Sequence, residues 1–201
     1  MYKWRTELKL TWYSAIIFSV LHTIWGVICV SVFAVIETGF NMEYLGNMSL
    51  FGGVFMMPIF YLALAKLTKV PVRRAFDICT NCMLFTLMCA RINCIISNCC
   101  FGLKIKGINW RWPTRELEII FYIVLIILIF RKLQEKKYDG SIYPMYMVAY
   151  GIFRFLTEGF RFYDGNSLIH RGHVWSLISI GIGFSVYIEI TLIKKKAGGK
   201  R

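Results

Sequence analysis

Four polar side chains recur at every fourth position of an apolar stretch, YPMYMVAYGIFRFLTEGF at residues 143–160. They are Tyr146, Tyr150, Arg154 and Glu158, and residues four apart share one face of a helix. Glu158 can hold the Arg154 guanidinium, whose other donors form a fork that suits phosphate geometry, and tyrosine hydroxyls add further donors. The stripe therefore predicts an anion site, with a purely internal Arg154–Glu158 ion pair as the alternative.

A second arginine interrupts another apolar stretch, CARINCIISNCCFG at residues 89–102. Arg91 is followed by Asn98 and Gly102, so a guanidinium and an amide lead from the membrane interior toward one end of the segment. A charge at such depth costs about 2.5–3.5 kcal/mol even on the lenient insertion scale, and something must compensate it. One anion held between Arg91 and Arg154 would offset both charges, and a phospholipid headgroup is the anion most available there.

A carboxylate follows close behind, in the stretch PTRELE at residues 113–118. Thr114 is predicted to cap a helix, which places Glu118 about one turn into it and within reach of the same cavity. Glu118 could accept a hydrogen bond from a lipid glycerol hydroxyl, act as a general base, or pair with Arg91. A salt bridge from Arg91 to Asp77 is a further alternative to the anion site.

Six apolar segments must position these side chains. The 201-residue chain is 57% hydrophobic and 16% aromatic, with a mean hydropathy of +0.57, which is more apolar than a soluble domain usually is. Each segment is near the 20 or so residues that a helix needs to cross a bilayer. The six segments are 12–36, 48–66, 75–98, 116–130, 142–160 and 174–193. We expect an all-α polytopic membrane bundle of about six transmembrane helices, forming a single integral membrane domain over residues 1–201.

Basic residues orient the predicted bundle. The net charge is +13, and Lys and Arg cluster at alternate ends of the apolar segments and at both chain ends, as cytoplasmic loops do. Both termini are therefore predicted to be cytoplasmic, with Trp110 and Trp112 at the outer interface. Nucleic-acid binding is not favoured, because the stripe of basic residues interleaved with aromatics that it requires is absent. The first apolar run is too long for a cleavable signal peptide and is expected to remain as an anchor.

Five stretches, in this order, resemble the prolipoprotein diacylglyceryl transferase family of bacterial plasma membranes. FGG at 51–53 stands where that family has His-Gly-Gly, and ARINCIISNCCFG at 90–102 where it has Gly-Arg-x-Gly-Asn-x-x-Asn-Gly-Glu-x-x-Gly. PTRELE at 113–118, YGIFRFLTEGFR at 150–161 and GHVWSL at 172–177 follow its Pro-Ser/Thr-Gln-x-x-Glu, Tyr-Gly-x-x-Arg-Phe-x-x-Glu and Gly-Gln-x-x-Ser motifs. The similar region covers about residues 48–193.

The resemblance implies a reaction and a place for it. The family moves the diacylglyceryl group of phosphatidylglycerol to the thiol of a lipobox cysteine in a prolipoprotein or peptide and releases glycerol phosphate. By position, Arg91 and Arg154 would bind the phosphate, Tyr150 would line the pocket, and Glu158 would orient Arg154; Asn98, Gly102 and Glu118 complete the substrate-binding candidates. The implied location is the bacterial inner membrane, with the site facing the extracytoplasmic side, and neither cofactor nor metal is expected.

The residues that depart from the family pattern are mainly ones that could transfer a proton. Phe51 replaces the family histidine, Cys94 and Cys99 replace an asparagine and a glutamate, and the chain is shorter than typical members. Cys99, near the Arg91 guanidinium, and His173 are the candidates for the missing catalytic group, and a Cys94–Cys99 or Cys99–Cys100 disulfide competes with a reactive Cys99.

Two other functions stay open at this point. A phospholipid-binding or scaffold protein would keep the headgroup site without the chemistry, as the missing histidine suggests. A membrane thiol oxidoreductase would use the pairs Cys79/Cys82 and Cys99/Cys100. Packing is the favoured role of Cys79 and Cys82, because no second pair completes a zinc site.

Overall fold

Six helices form the molecule in the computed structural model, which describes residues 1–43, 48–98, 100, 102–104, 110–161 and 170–198, with side chains to residue 196. A 3-10 turn at Tyr2–Trp4 precedes the first helix. The helices are α1 (Trp12–Glu37), α2 (Phe51–Thr68), α3 (Val72–Ile96), α4 (Thr114–Gln134), α5 (Ile142–Glu158) and α6 (Arg171–Gly198). The described residues contain no β-structure beyond two isolated bridges, Gly102–Arg161 and Lys104–Arg111.

The predicted all-α bundle is confirmed, with one helix for each apolar segment. Four of the described helices, α1, α2, α3 and α6, are long and apolar enough to cross a membrane. The second segment contains Pro58 and is nevertheless a single helix from Phe51 to Thr68. Neighbouring helices can satisfy the backbone group that a proline leaves free, so α2 continues through it.

Glycines set the closest helix contacts. A Cβ added to Gly52 of α2 would lie 2.1 Å from the carbonyl oxygen of Cys29 in α1. A Cβ on Gly151 of α5 would lie 2.8 Å from the carbonyl oxygen of Ser176 in α6. Backbones approach this closely only where side chains are absent, which is the usual way that membrane helices pack. These contacts fix α1 on α2 and α5 on α6.

Gly52 provides a test of this packing. We expect Gly52→Ala to destabilise the protein by about 1–3 kcal/mol, because the added methyl group meets backbone that cannot yield. Gly53→Ala is the matched control, since the nearest atom to its Cβ is a leucine methyl of Leu87 at 3.6 Å. Thermal unfolding of both variants in the same detergent measures the difference, and equal midpoints would contradict the close contact.

One end of the bundle, which we call the basic end, contains residues 1–11, 69–71 and 135–141. There the buried Asp77 carboxylate of α3 accepts the backbone N–H groups of Gly140 and Ile142, at 2.8 and 3.1 Å. Asp77 thus caps the start of α5, and it is not the partner of Arg91.

A second contact at the basic end joins α6 to the turn before α5. Desolvation of Asp139 opposes its ionisation, but hydrogen bonds from Lys194 and Ser141 outweigh that effect and lower the pKa of the Asp139 carboxyl. Asp139 is therefore ionised at neutral pH and holds the C-terminal part of α6 against this turn.

Candidate functional site

The polar stripe of α5 is buried along its whole length. Tyr146, Tyr150, Arg154 and Glu158 are 1%, 0%, 7% and 1% exposed, so the face predicted from their spacing is the one that α5 turns into the protein. A guanidinium and a carboxylate at this depth are costly unless each has partners. The site is built around those partners.

Glu118 of α4 joins the two arginines. Its Oε1 accepts from Arg91 Nη2 at 3.2 Å and from Arg154 Nη1 at 3.4 Å, and its Oε2 contacts Arg91 Nε. Arg91 and Glu118 are 4% and 3% exposed. Guanidiniums from α3 and α5 therefore meet at one carboxylate oxygen, and the Arg91–Glu118 pair that the sequence left as an alternative is present.

Glu158 completes the cluster from the C-terminal end of α5. Its Oε2 lies 2.9 Å from Arg154 Nη2, as the four-residue spacing predicts. Two guanidiniums and two carboxylates give the cluster a formal charge of zero, which explains how the arginines are tolerated at this depth. Arg154 is held at both of its terminal nitrogens, by Glu118 on one side and by Glu158 on the other.

Several donors around the cluster remain unused. Arg154 Nε is buried and has no hydrogen-bond partner within the described part of the chain, and the same holds for the hydroxyls of Tyr122, Tyr146 and Tyr150. Among the described residues, Arg91 Nη1 makes a weak contact with the sulfur of Cys94, at 3.9 Å. Buried donors without acceptors are uncommon, so their concentration beside two arginines indicates a place for an anionic or carbonyl oxygen.

Sequence reasoning missed Tyr122, which belongs to this group. It lies four residues after Glu118 on α4, and its ring faces that of Tyr150 with centroids 6.4 Å apart. The Glu118-x-x-x-Tyr122 spacing puts both residues on one helix face and could have identified it.

Phe51, at the position of the family histidine, borders the same site. Its ring is 2% exposed and meets Tyr150 edge to face, with centroids 5.6 Å apart. A proton-transfer group at position 51 would therefore lie next to the stripe, whereas phenylalanine only packs there.

The other predicted site residues lie toward the same end of the bundle. Asn98 is exposed just after α3, in the left-handed conformation with φ 49°. Gly102 pairs with Arg161 in an isolated bridge, and a Cβ there would lie 2.2 Å from the carbonyl oxygen of Trp112, so the approach requires glycine. His173 is half-buried in the first turn of α6, edge-on to Phe155. Cys99 lies outside the described residues.

A cavity of about 400 Å³ adjoins the start of α4. Its lining combines indoles with charged side chains: Gly102, Trp110, Arg111, Trp112, Pro113, Arg115 and Glu116.

The predicted Thr114 cap of α4 is wrong, because Pro113 is the N-cap residue and the buried Thr114 hydroxyl has no hydrogen-bond partner among the described residues. Thr114 is instead the first residue of the helix, and Glu118 still falls one turn further on.

The cysteines give no sign of a metal or disulfide site in the part of the chain that the structure describes. No group of three or more His, Cys, Asp or Glu residues could hold a metal there. No disulfide joins any two of the six described cysteines, and both predicted disulfides involve Cys99, outside the described residues. Cys79 is fully buried, and Cys82 accepts a hydrogen bond from the N-terminal amine at 3.2 Å.

An all-helical bundle with four membrane-spanning candidates around a buried Arg–Glu cluster defines a multi-pass membrane protein. The chain belongs to the prolipoprotein diacylglyceryl transferase family, whose profile matches residues 4–189. The resemblance seen in the five motifs is thereby confirmed.

Individual relatives agree with this assignment. The chain is 28% identical over 172 residues to phosphatidylglycerol–prolipoprotein diacylglyceryl transferase of Campylobacter hominis, covering 75% of this chain and 60% of that protein. It is 28% identical over 170 residues to the protein of the same name from Campylobacter curvus, covering 77% and 62%. It is 25% identical over 146 residues to the protein of the same name from Finegoldia magna, covering 68% of this chain and 58% of that protein. The chain thus spans about 60% of the length of these relatives.

Proposed function

We propose that this protein transfers the diacylglyceryl group of phosphatidylglycerol to a cysteine thiol of a prolipoprotein or peptide. The observation that carries the proposal is the meeting of Arg91 and Arg154 at one oxygen of Glu118, with unused donors around them. These arginines fall in two motifs of the family to which the chain belongs. They are suited to bind the headgroup phosphate of the donor lipid.

The reaction displaces phosphate at a glyceryl carbon. The cysteine sulfur forms a bond to that carbon while the carbon–oxygen bond to phosphate breaks, and glycerol phosphate leaves with the bonding electrons. Charge develops on the phosphate oxygens, where donors aimed in advance stabilise the transition state. Arg154 Nε, Arg91 Nη1 and the Tyr150 hydroxyl can supply these donors without breaking the ion pairs with Glu118 and Glu158.

The thiol proton also needs an acceptor. We propose Glu118 for this role, because its carboxylate lies at the meeting point of the two guanidiniums that would hold the phosphate, beside the carbon that the thiol would attack. Cys99 and His173 remain proposals from the sequence for the same role. Asn98 and Gly102 are proposed to border the substrate where it leaves the bundle.

The proposed location is the inner membrane of a bacterium, with both termini in the cytoplasm and the site on the extracytoplasmic side. The charge distribution supports this orientation: the basic end carries Lys136 and Lys137, while the Arg–Glu cluster lies at the other end of α5.

The decisive experiment supplies both substrates. Purified protein in lipid nanodiscs is incubated with phosphatidylglycerol labelled in its acyl chains and a peptide that contains a lipobox cysteine. We expect a labelled thioether product and released glycerol phosphate in equal amounts. Tight binding of the lipid with no product would contradict the transferase and favour a lipid-binding or scaffold protein, the function that Phe51 best supports. Activity that survives replacement of all seven cysteines would exclude thiol chemistry by the protein itself.

Phe51 offers a gain-of-function test. We expect Phe51→His to raise product formation about 10-fold, because an imidazole next to Tyr150 could accept the thiol proton. Phe55→His is the control, since Phe55 lies one turn further along α2 and also packs on Phe33. An unchanged rate for Phe51→His, measured in the nanodisc assay, would show that proton transfer does not pass through position 51.

A further inference from the structure

Gly172, the second residue of α6, lies directly against the carboxylate of Glu158. A Cβ at position 172 would lie 2.0 Å from Glu158 Oε1 and 2.3 Å from its Cδ. The backbone of Gly172 is outside the left-handed region, so the position requires glycine for space and not for conformation. No side chain larger than hydrogen fits beside Glu158 as it stands.

The two helices around this contact are closely packed. The buried Ser176 hydroxyl donates to the Gly172 carbonyl oxygen at 2.7 Å, which fixes the first turn of α6. Two turns back along α5, Gly151 brings the two backbones together at the Ser176 carbonyl. A methyl group at position 172 would therefore move the Glu158 side chain rather than the helices.

We propose that Gly172 is a positioning residue that sets the orientation of Arg154 through Glu158. This inference rests on the proposed function. Glu158 holds Arg154 Nη2 while Glu118 holds Nη1, and the two contacts together fix the plane of the guanidinium with Nε left for the substrate. Displacing Glu158 releases Arg154 Nη2, so the guanidinium can shift. A misplacement of about 1 Å near reacting groups can cost as much as 100-fold in rate.

Four variants test the inference in the nanodisc assay: Gly172→Ala, Glu158→Asp, the double variant, and Gly181→Ala as the control. Gly181 lies on the same helix, and a Cβ there would have no neighbour within 4 Å. We expect Gly172→Ala to lower kcat/KM for phosphatidylglycerol by about 10- to 100-fold, with Gly181→Ala unchanged. Glu158→Asp alone also lowers it. The double variant should be no less active than Glu158→Asp alone, because a carboxylate already withdrawn by one methylene is not displaced further by the added methyl group.

The outcomes separate this inference from the proposed function. Full activity of Gly172→Ala overturns the inference, and so does a folded double variant in which the losses of Gly172→Ala and Glu158→Asp add in full, since general packing damage would give that result. If the wild-type protein forms no thioether, the transferase proposal fails. Binding of labelled phosphatidylglycerol by the same variants then decides on Gly172: weaker binding by Gly172→Ala, with no further loss when it is added to Glu158→Asp, supports the inference, and equal binding overturns it.

Discussion

Arg154→Ala is expected to reduce diacylglyceryl transfer at least 100-fold. The substitution removes the only guanidinium that both carboxylates of the cluster hold, together with the unused Nε donor. Loss of a single preorganised donor to developing charge costs about 100- to 1,000-fold in other enzymes, and here a full positive charge is lost as well. The rate of thioether formation from labelled phosphatidylglycerol measures the effect.

Two further variants make this result interpretable. Arg154→Lys keeps the positive charge in the buried cluster, so it should fold, but it lacks the planar fork and should be nearly as inactive. Arg131→Ala removes an exposed arginine from α4 and should leave the rate unchanged. Wild-type rates for both substitutions of Arg154 in an otherwise active enzyme would exclude Arg154 from phosphate binding.

Glu118→Leu is expected to have the second largest effect, and to act on stability as well as activity. Glu118 contacts both guanidiniums, and its removal leaves Arg91 buried without a carboxylate within the described residues. Breaking a buried ion pair from one side costs about 3–5 kcal/mol. We expect a large drop in the thermal unfolding midpoint in detergent, and no detectable transfer.

The double variant Arg91→Met/Glu118→Leu distinguishes the two effects. It removes both members of one ion pair and leaves the Arg154–Glu158 pair in place. Apolar replacement of a whole buried pair is often neutral for stability or stabilising, so the unfolding midpoint should return toward that of the wild type. Activity should not return, because one of the two arginines proposed to bind phosphate and the proposed proton acceptor are both gone. Recovered transfer in this variant would refute the assigned roles of Arg91 and Glu118.

Much of this site follows from periodicity in the sequence. The four-residue spacing from Tyr146 to Glu158 predicted a shared face, and the structure shows that face buried. The length and composition of the apolar segments predicted six helices, because a helix must satisfy its own backbone in lipid. Periodicity gives the face of a helix in this way, but it does not give the neighbour that the face meets.

The ion pairs within the site depend on which helices are neighbours and how they are offset, and the sequence pattern gives neither. Arg91 and Asp77 lie 14 residues apart on the same helix α3, so they cannot pair once that helix is continuous. The carboxylate that Arg91 meets instead depends on the offset between α3 and α4, which the sequence pattern does not give. Asp77 proved to cap α5 because the turn at Gly140 brings two backbone amides to it. The Thr114 cap failed for a local reason, since the helix begins at Thr114 itself and a cap residue must precede the first turn.

The capping of α5 by Asp77 has a mechanical consequence. Helix α3 is joined to α5 at two places. Asp77 accepts two backbone N–H groups at the start of α5, and near the end of α5 Arg91 and Arg154 bind the same oxygen of Glu118. Asp77 and Arg91 are 14 residues apart, or about 21 Å along the axis. Contacts this far apart prevent α5 from rotating or sliding along α3. The proposed lipid substrate would therefore reach Arg154 either while α3 and α5 stay together or after both sets of contacts have broken.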